Sequence, residues 1–305
     1  MFEIIFLGTS ASAPSVRRSL PAIVVKHDEF RFLVDCGEGT QRQILQSGIG
    51  FKRLNRILIT HGHLDHILGL AGLLSTFLRW ETIEELEIYG GKSALERIKD
   101  LLFGVVLRST RAPMPIHFNQ VKPGVIFQKG DLTITAFPIK HRNTDSFGYV
   151  FEEKGRRPFL VDEADRLGVP PGPLRGQLVR GNDVVLEDGS RIKPDMVLGE
   201  FKKGTKLVIT GDLGDTNGLE KICENADALV IEATYLKPET DMAKQFAHLT
   251  ASQSAALAKR ANVKRLILTH VSRRYREKDI LAEAKETFEE SVVARDFDVY
   301  QIRNE

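Results

Sequence analysis

Apolar residues along this chain come in short unbroken runs, and most of the runs stop at a glycine, an acid or a histidine. Phe2 to Leu7 reads as a first strand ending at Gly8, and Ala22 to Val25 and Phe30 to Val34 read as two more joined by His27-Asp28-Glu29. Ile57 to Thr60, Leu86 to Tyr89, Leu132 to Phe137, Lys206 to Thr210, Ala228 to Ile231, Arg265 to Thr269 and Phe297 to Ile302 continue the series. Short β-branched and aliphatic runs bounded by turn residues are what strands buried on both faces look like. Between them lie segments of helical character: one after Asp35-Cys-Gly-Glu-Gly-Thr-Gln41 as far as about Gln46, then Ile67 to Arg79, Ser93 to Leu102, Ala251 to Arg260 opened by Thr250, and Asp279 to Phe288. Strands alternating with helices predict an α/β protein.

One stretch breaks the rhythm. From Phe151 to Lys203 the chain is punctuated by Gly155, Pro158, Gly168, Pro170-Pro171-Gly172-Pro173, Gly176, Gly181, Gly189 and Pro194, with only short apolar pieces between them. It reads as an irregular arm, 151–203, inserted into a single domain that spans 1–305. Its acids and bases nearly balance, so it is not a polycationic tail. A nucleic-acid role would need Arg156, Arg157, Arg175 and Arg180 to share one face.

Composition narrows the picture only a little. The 305 residues include 42% hydrophobic and 28% charged positions, which is ordinary for a soluble chain, and the net charge of +2 announces no polyanionic partner. Cys36 and Cys223 are far apart and outside any C-x-x-C pair, so both are expected as reduced core thiols in a cytoplasmic protein. Met1 to Leu7 lacks a basic leader and reads as a strand, not a signal peptide, and no apolar run is long enough to span a membrane.

Histidine changes the picture more than charge does. The chain has eight, and three of them stand with an aspartate in His61-Gly-His-Leu-Asp-His66, directly after a buried strand and before a helix. His61 and His63 can face one way from an extended segment while Asp65 and His66 turn toward a second ion as the helix begins. Imidazole and carboxylate together suit zinc, with manganese or another divalent metal also possible. The pattern of a strand followed by a ligand recurs at His141, Asp212 and His270. The simplest grouping gives His61, His63 and His141 to one ion, Asp65, His66 and His270 to the other, and Asp212 to both. Two such ions, about 3.5–4 Å apart, neutralise the charge of a phosphorus undergoing in-line displacement, so the expected chemistry is hydrolysis. A spare carboxylate oxygen lets Asp65 orient or deprotonate the attacking water. His248 is left over as a proton donor to the leaving oxygen, with Glu232 as the carboxylate that holds its tautomer.

These residues resemble the metal motifs of the metallo-β-lactamase superfamily, and further stretches resemble the ribonuclease Z family within it. The matching segments are Leu7-Gly-Thr-Ser-Ala-Ser-Ala-Pro14, Asp35 to Gln41, His61 to His66, Ser146-Phe-Gly-Tyr149, Gly168-Val-Pro-Pro-Gly-Pro-Leu174, Ile231-Glu-Ala-Thr234, His248-Leu-Thr250 and Thr269-His-Val-Ser-Arg-Arg-Tyr275. The resemblance implies a four-layer αββα sandwich with a projecting arm. It also implies two zinc ions per chain, and a homodimer that removes the 3′ trailer of precursor transfer RNA after the discriminator base, leaving a 3′ hydroxyl. It supports Asp65 as general base and His248 as general acid. It makes the arm, with Gly172 and Pro173, a grip on the transfer RNA, and places Arg273 and Tyr275 near the cleaved phosphate. Two departures stand out: Leu213 follows Asp212 where the family has Thr, and Val271 stands where it has Phe. A broader phosphodiesterase or 3′ exoribonuclease, and a non-catalytic RNA-binding subunit, are the alternatives.

Overall fold

Nearly all of the apolar runs fall into two seven-stranded sheets in the computed structural model, which describes residues 1–80, 83–108, 110–112, 114–142 and 144–304. The first sheet contains β1 (Phe2–Gly8), β2 (Ala22–His27), β3 (Phe30–Val34), β4 (Arg56–Leu58), β5 (Leu86–Gly90) and β6 (Ile116–Gln120) side by side, with the C-terminal strand β16 (Val299–Ile302) on the outer edge of β1. From β3 to β6 its pairings are parallel. The second contains β7 (Gly124–Lys129), β8 (Leu132–Ile139), β9 (Ser146–Glu153), β12 (Lys206–Ile209), β13 (Ala228–Glu232), β14 (Leu266–Thr269) and β15 (Ser291–Val293), parallel from β12 to β15.

Side-chain alternation builds the layers. Phe2, Ile4 and Phe6 of β1 join Phe32, Tyr149, Leu207, Val230 and Ile267 in a core between the sheets, while Ile5 and Leu7 point the other way. On that outer side, helices α1 (Thr40–Ser47), α2 (Leu64–Ile67), α3 (Gly69–Trp80) and α4 (Lys92–Lys99) accompany the first sheet, and Ile44, Leu73, Phe77 and Ile98 complete its second core. Helices α7 (Glu220–Cys223), α8 (Thr240–Phe246), α9 (Ala251–Arg260) and α10 (Glu277–Lys285) accompany the second sheet, with Ala255, Leu257, Ile280 and Ala284 packed on Leu229 and Leu268. The order is therefore helix, sheet, sheet, helix. Both faces of each central strand are buried, which is why the strands read as apolar runs without polar alternation.

The structure departs from the sequence-based expectation in places with identifiable causes. The helix expected from Ile67 begins at Leu64 and breaks at Leu68, so Asp65 and His66 sit on their own helical turn. The helix expected over Ser93 to Leu102 is α-helical to Lys99 and continues as a π-helix, Asp100–Leu107. Strands β6, β7, β9 and β15 add to the expected set; β6 and β7 are half-exposed and carry little apolar signal.

Residues 153–204 form a separate compact unit. They are not irregular: α5 (Val161–Arg166), α6 (Pro173–Val179) and the hairpin β10 (Val184–Val185) to β11 (Arg191–Ile192) enclose a small core of Ala164, Val169, Leu178, Val184, Ile192 and Val197. Two of the arginines considered for a basic face are instead struts. Arg157 donates to the Leu198 and Gly199 carbonyls at 2.8 Å each and pairs with Asp195, and Arg175 donates to the Val169 carbonyl at 2.7 Å and pairs with Asp165.

Candidate metal centre

Four strands deliver polar side chains to one place. β4 runs into Thr60-His61, β12 into Thr210-Gly211-Asp212, β14 into His270, and β8 is followed by His141. Gly211 has φ +70° and lies so close to Thr60 that a Cβ there would sit 2.8 Å from the Thr60 side chain, so glycine is required where the two strand ends meet. His270 and Asp35, each just past the end of a parallel strand, both adopt positive φ, +53° and +60°. Such conformations cost roughly 1–3 kcal/mol and persist at sites where the surroundings hold them.

The seven residues singled out as ligands converge. His61, His63, His141 and Asp212 offer one set of donor atoms, all within 4.8 Å of one another, and Asp65, His66, Asp212 and His270 offer a second within the same limit. Asp212 belongs to both: its Oδ2 is 3.8 Å from His61 Nε2, 3.4 Å from His66 Nε2 and 3.3 Å from His270 Nε2. Asp65 Oδ2 approaches two of these, His66 Nε2 at 3.7 Å and His270 Nε2 at 3.6 Å. His66 Nε2 and His270 Nε2 are buried and have no hydrogen-bond partner among the described residues. Buried polar atoms left this way, facing carboxylates, fit a divalent cation between them.

Four of the candidate ligand histidines, His61, His66, His141 and His270, are aimed by a second group. Thr60 Oγ1 donates to Asp35 Oδ2 at 2.8 Å, so at 3.0 Å it accepts from His61 Nδ1 and leaves Nε2 as the lone-pair donor. His66 Nδ1 donates to the same Asp35 oxygen at 2.8 Å, and His141 Nδ1 to the Ala247 carbonyl at 2.8 Å. The second sheet repeats the device. Thr234 Oγ1 donates to Glu232 Oε2 at 2.5 Å and accepts from His270 Nδ1 at 2.9 Å. Ligand imidazoles are oriented in this way by their other nitrogen. The sequence motifs do not single out Asp35, Thr60 or Thr234 as partners of the histidines. The missed signal is that every ligating histidine needs an acceptor, and a strand-end acid beside the histidine motif supplies one.

His248 stands beside both sets, its ring centroid 5.1 Å from that of His141 and 5.3 Å from that of His270. Its Nδ1 lies 3.0 and 3.1 Å from the Glu232 oxygens, and Glu232 also accepts from the Leu213 and Leu249 amides at 2.8 and 3.1 Å. Leu213 thus contributes its backbone, while its side chain is buried in the second-sheet core, which explains how leucine serves at that position. Val271 does likewise: its amide and carbonyl pair with Thr9 and Ala11, and its side chain is buried.

Electrostatics divides the cluster. Burial, with the neighbouring imidazoles, holds His61 and His141 below the ordinary histidine range and His63 down at about 4, so all three are neutral donors near pH 7. Burial also opposes charge on His66, but Asp212 and Asp35 outweigh it and raise its pKa. Burial pushes Asp212 and Asp65 up; His270 and His66 more than compensate, and both carboxyls stay below their usual range. For His248, burial is overcome by Glu232, which lifts it to about 9.

A cleft of about 890 Å³ is lined by Val271, the residue after His270, and by Ser15, Arg17, Arg273 and Tyr275 among others. Arg17 and Arg273 have no carboxylate partner among the described residues, whereas the Tyr275 ring also packs on the second-sheet core with its hydroxyl buried. Gly172 and Pro173 lie in the separate unit, where Gly172 takes φ +129° ahead of α6.

Relatives decide what this cluster belongs to. A ribonuclease Z from Bradyrhizobium diazoefficiens is 49% identical over 98% of this chain and 99% of its own length. The chain belongs to the ribonuclease Z family. Among solved structures, human tRNase Z, short form, superposes with a TM-score of 0.70 at 27% identity, over 99% of this chain and all of that one. The Bacillus subtilis protein YhfI, of metallo-β-lactamase fold, has a TM-score of 0.68 at 18% identity over 98% of each chain. The helix–sheet–sheet–helix layering is therefore the metallo-β-lactamase fold. The family model described as Anti-Pycsar protein Apyc1 matches residues 2–161, just over half of the chain, and places that part in its family as well. The protein is accordingly a nuclease of the ribonuclease Z family with histidine–aspartate groups suited to divalent metal.

Proposed function

We propose that this chain is a zinc-dependent endoribonuclease that removes the 3′ trailer of precursor transfer RNA after the discriminator base, leaving a 3′ hydroxyl. The observation that carries the reading is Asp212 shared between two ligand sets, with His248 held on Glu232 beside both, in a chain with full-length ribonuclease Z relatives.

His61, His63, His141 and Asp212 would hold one Zn²⁺, and Asp65, His66, His270 and Asp212 a second. Bound there, the ions supply Lewis-acid polarisation of the phosphoryl group and acidify water. The chain's own residues move the protons. Asp65, fixed through Oδ2 by the Ser12 amide at 3.1 Å, takes a proton from the attacking water on its other oxygen. As the P–O3′ bond breaks, His248 gives its Nε2 proton to the departing 3′ oxygen, and Glu232 stabilises the charged imidazole until then. Arg17 and Arg273 pair with backbone phosphates in the cleft, and Tyr275 forms its wall. The unit 153–204, with Gly172 and Pro173 at the start of α6, is the grip on the body of the transfer RNA, within a homodimer. Both thiols are free and buried, which suits the cytoplasm, and no described helix is long and apolar enough to cross a membrane.

A broader phosphodiesterase or 3′ exonuclease is the second reading, because the same two histidine–aspartate groups would serve any phosphodiester. A non-catalytic RNA-binding subunit would have no use for seven assembled ligand residues. The test is zinc-loaded protein given a 3′-extended precursor and a small phosphodiester, with products mapped to the nucleotide and subunit number measured by light scattering. A single cut after the discriminator is expected; a ladder from the 3′ end, or turnover of the small ester alone, would move the function to the second reading.

A further inference from the structure

Residues 9 to 19 leave the end of β1, reach the metal centre and return, and their two ends are stapled by one carboxylate. Asp296 accepts from Thr9 Oγ1 through Oδ1 at 2.7 Å and from the Ser19 amide through Oδ2 at 2.6 Å. Gln43 Nε2 adds a contact to Oδ2 at 3.1 Å, and Arg18 bridges Thr9 Oγ1 and the Ala294 carbonyl at 2.6 Å each. Between the stapled ends, the Ser10 amide donates to Ser19 and the Ala11 amide to Val271. Ser12, at φ +57°, donates its amide to Asp65 Oδ2 at 3.1 Å. The next residues, Ala13 to Arg17, are exposed, and Val16 is fully so.

We propose that Asp296 is a positioning residue for Asp65, acting by closing the 9–19 loop so that the Ser12 amide fixes which carboxylate oxygen faces the metal side. This rests on the assignment of Asp65 above. Three features of the geometry support it. Nine residues lie between the stapled positions, and Ala11 is the one buried apolar side chain among them, so the loop has little apolar packing of its own to hold Ser12, in a strained conformation, against Asp65. Asp296 is partly buried and accepts several hydrogen bonds, none of which involves the metal cluster; a shielded carboxylate whose partners all belong to one loop and the helix beside it is a structural staple. Finally, the hydrogen bond to a ligand carboxylate is the kind of contact whose loss weakens activity by about 10–100-fold without removing a ligand.

The experiment compares zinc-loaded wild type with Asp296→Ala, Asp296→Asn and Thr9→Val. Asn keeps the size and one acceptor oxygen, and its amide can donate to Thr9 Oγ1, so the staple survives without the charge. Thr9→Val removes one arm of the staple at constant shape. The readouts are kcat and KM on bis(p-nitrophenyl) phosphate, zinc content, and hydrogen exchange of the 9–19 segment against that of β3 and β12. Expected are a kcat about 10–100-fold lower for Asp296→Ala with KM within about twofold, a smaller loss for Thr9→Val, near-wild-type kcat for Asp296→Asn, and faster exchange confined to 9–19. Wild-type kcat in Asp296→Ala, or an equal loss in Asp296→Asn with unchanged loop exchange, would overturn the proposal. Should Asp296→Ala fail to fold, Thr9→Val decides by the same readouts. Because the probe is a small ester, failure of the transfer RNA reading leaves this result interpretable.

Discussion

Glu232 does four things at once: it accepts two backbone amides, a threonine hydroxyl that aims His270, and the His248 imidazole. Replacing it separates these jobs by pH. Glu232 raises His248 to about 9, so the proton-donating form is present at neutral pH and is lost as pH rises through that value, or through a lower one once cations lie nearby. Glu232→Gln removes the charge that raises it. The alkaline limb of the kcat profile should therefore shift to lower pH, with activity at pH 8 down by about 10–100-fold; an unmoved limb would assign it to another group. A second residue-scale expectation concerns His66, whose proton is held by Asp212 and Asp35 where a cation fits. Zinc binding should release protons, seen as a buffer-dependent calorimetric enthalpy, and apparent affinity should weaken as pH falls. At this scale the sequence was most legible for side chains clustered in one motif. His61 to His66 announced themselves, while Asp35, Thr60 and Thr234 did not, because a lone acid or hydroxyl at a strand end looks the same whether or not a histidine leans on it.

The elements that carry these residues are short and held by specific caps. Helix α9 opens with a reciprocal cap in which the Thr250 hydroxyl accepts from the Gln253 amide while the Gln253 side chain accepts from the Thr250 amide. That cap, worth about 1 kcal/mol, sits two residues from His248 and anchors its loop. The separate unit at 153–204 has so small a core that one substitution should separate it from catalysis. Leu178, fully buried among Val169, Val184 and Ile192, becomes a cavity in Leu178→Ala at a cost of about 2–5 kcal/mol. Precursor cleavage should then fall by at least about tenfold through KM, while turnover of a small phosphodiester holds; loss of both would tie the unit to the catalytic machinery instead. The apolar runs foretold most of the strands because both faces of the central ones are buried. They could not foretell the folding of 153–204, where six scattered side chains make a core too small to leave a periodic pattern. The π-helix at Asp100–Leu107 was equally invisible, since its residues continue an ordinary helical run.

For the molecule as a whole, two sheets bring together candidate ligands that lie as far apart in sequence as His61 and His270, and neither sheet holds a complete set. Asp35, Thr60 and the His61–His66 motif come from the first sheet's side, and His141, Asp212, Glu232 and His270 from the second. The layering was implied by the family resemblance, not by periodicity, because alternation tells which residues are buried and not which sheet covers them. The central claim is that this shared site breaks the P–O3′ bond after the discriminator with His248 as the acid. The most direct measurement is single-turnover cleavage of a precursor carrying sulfur in place of that bridging 3′ oxygen, by zinc-loaded wild type and His248→Ala. The oxygen substrate should be cut about 10²–10⁴-fold more slowly by the variant, and the sulfur substrate, whose leaving group needs no proton, should be cut by both at similar rates. An equal deficit on oxygen and sulfur, or no cleavage at that linkage by wild type, would contradict the account.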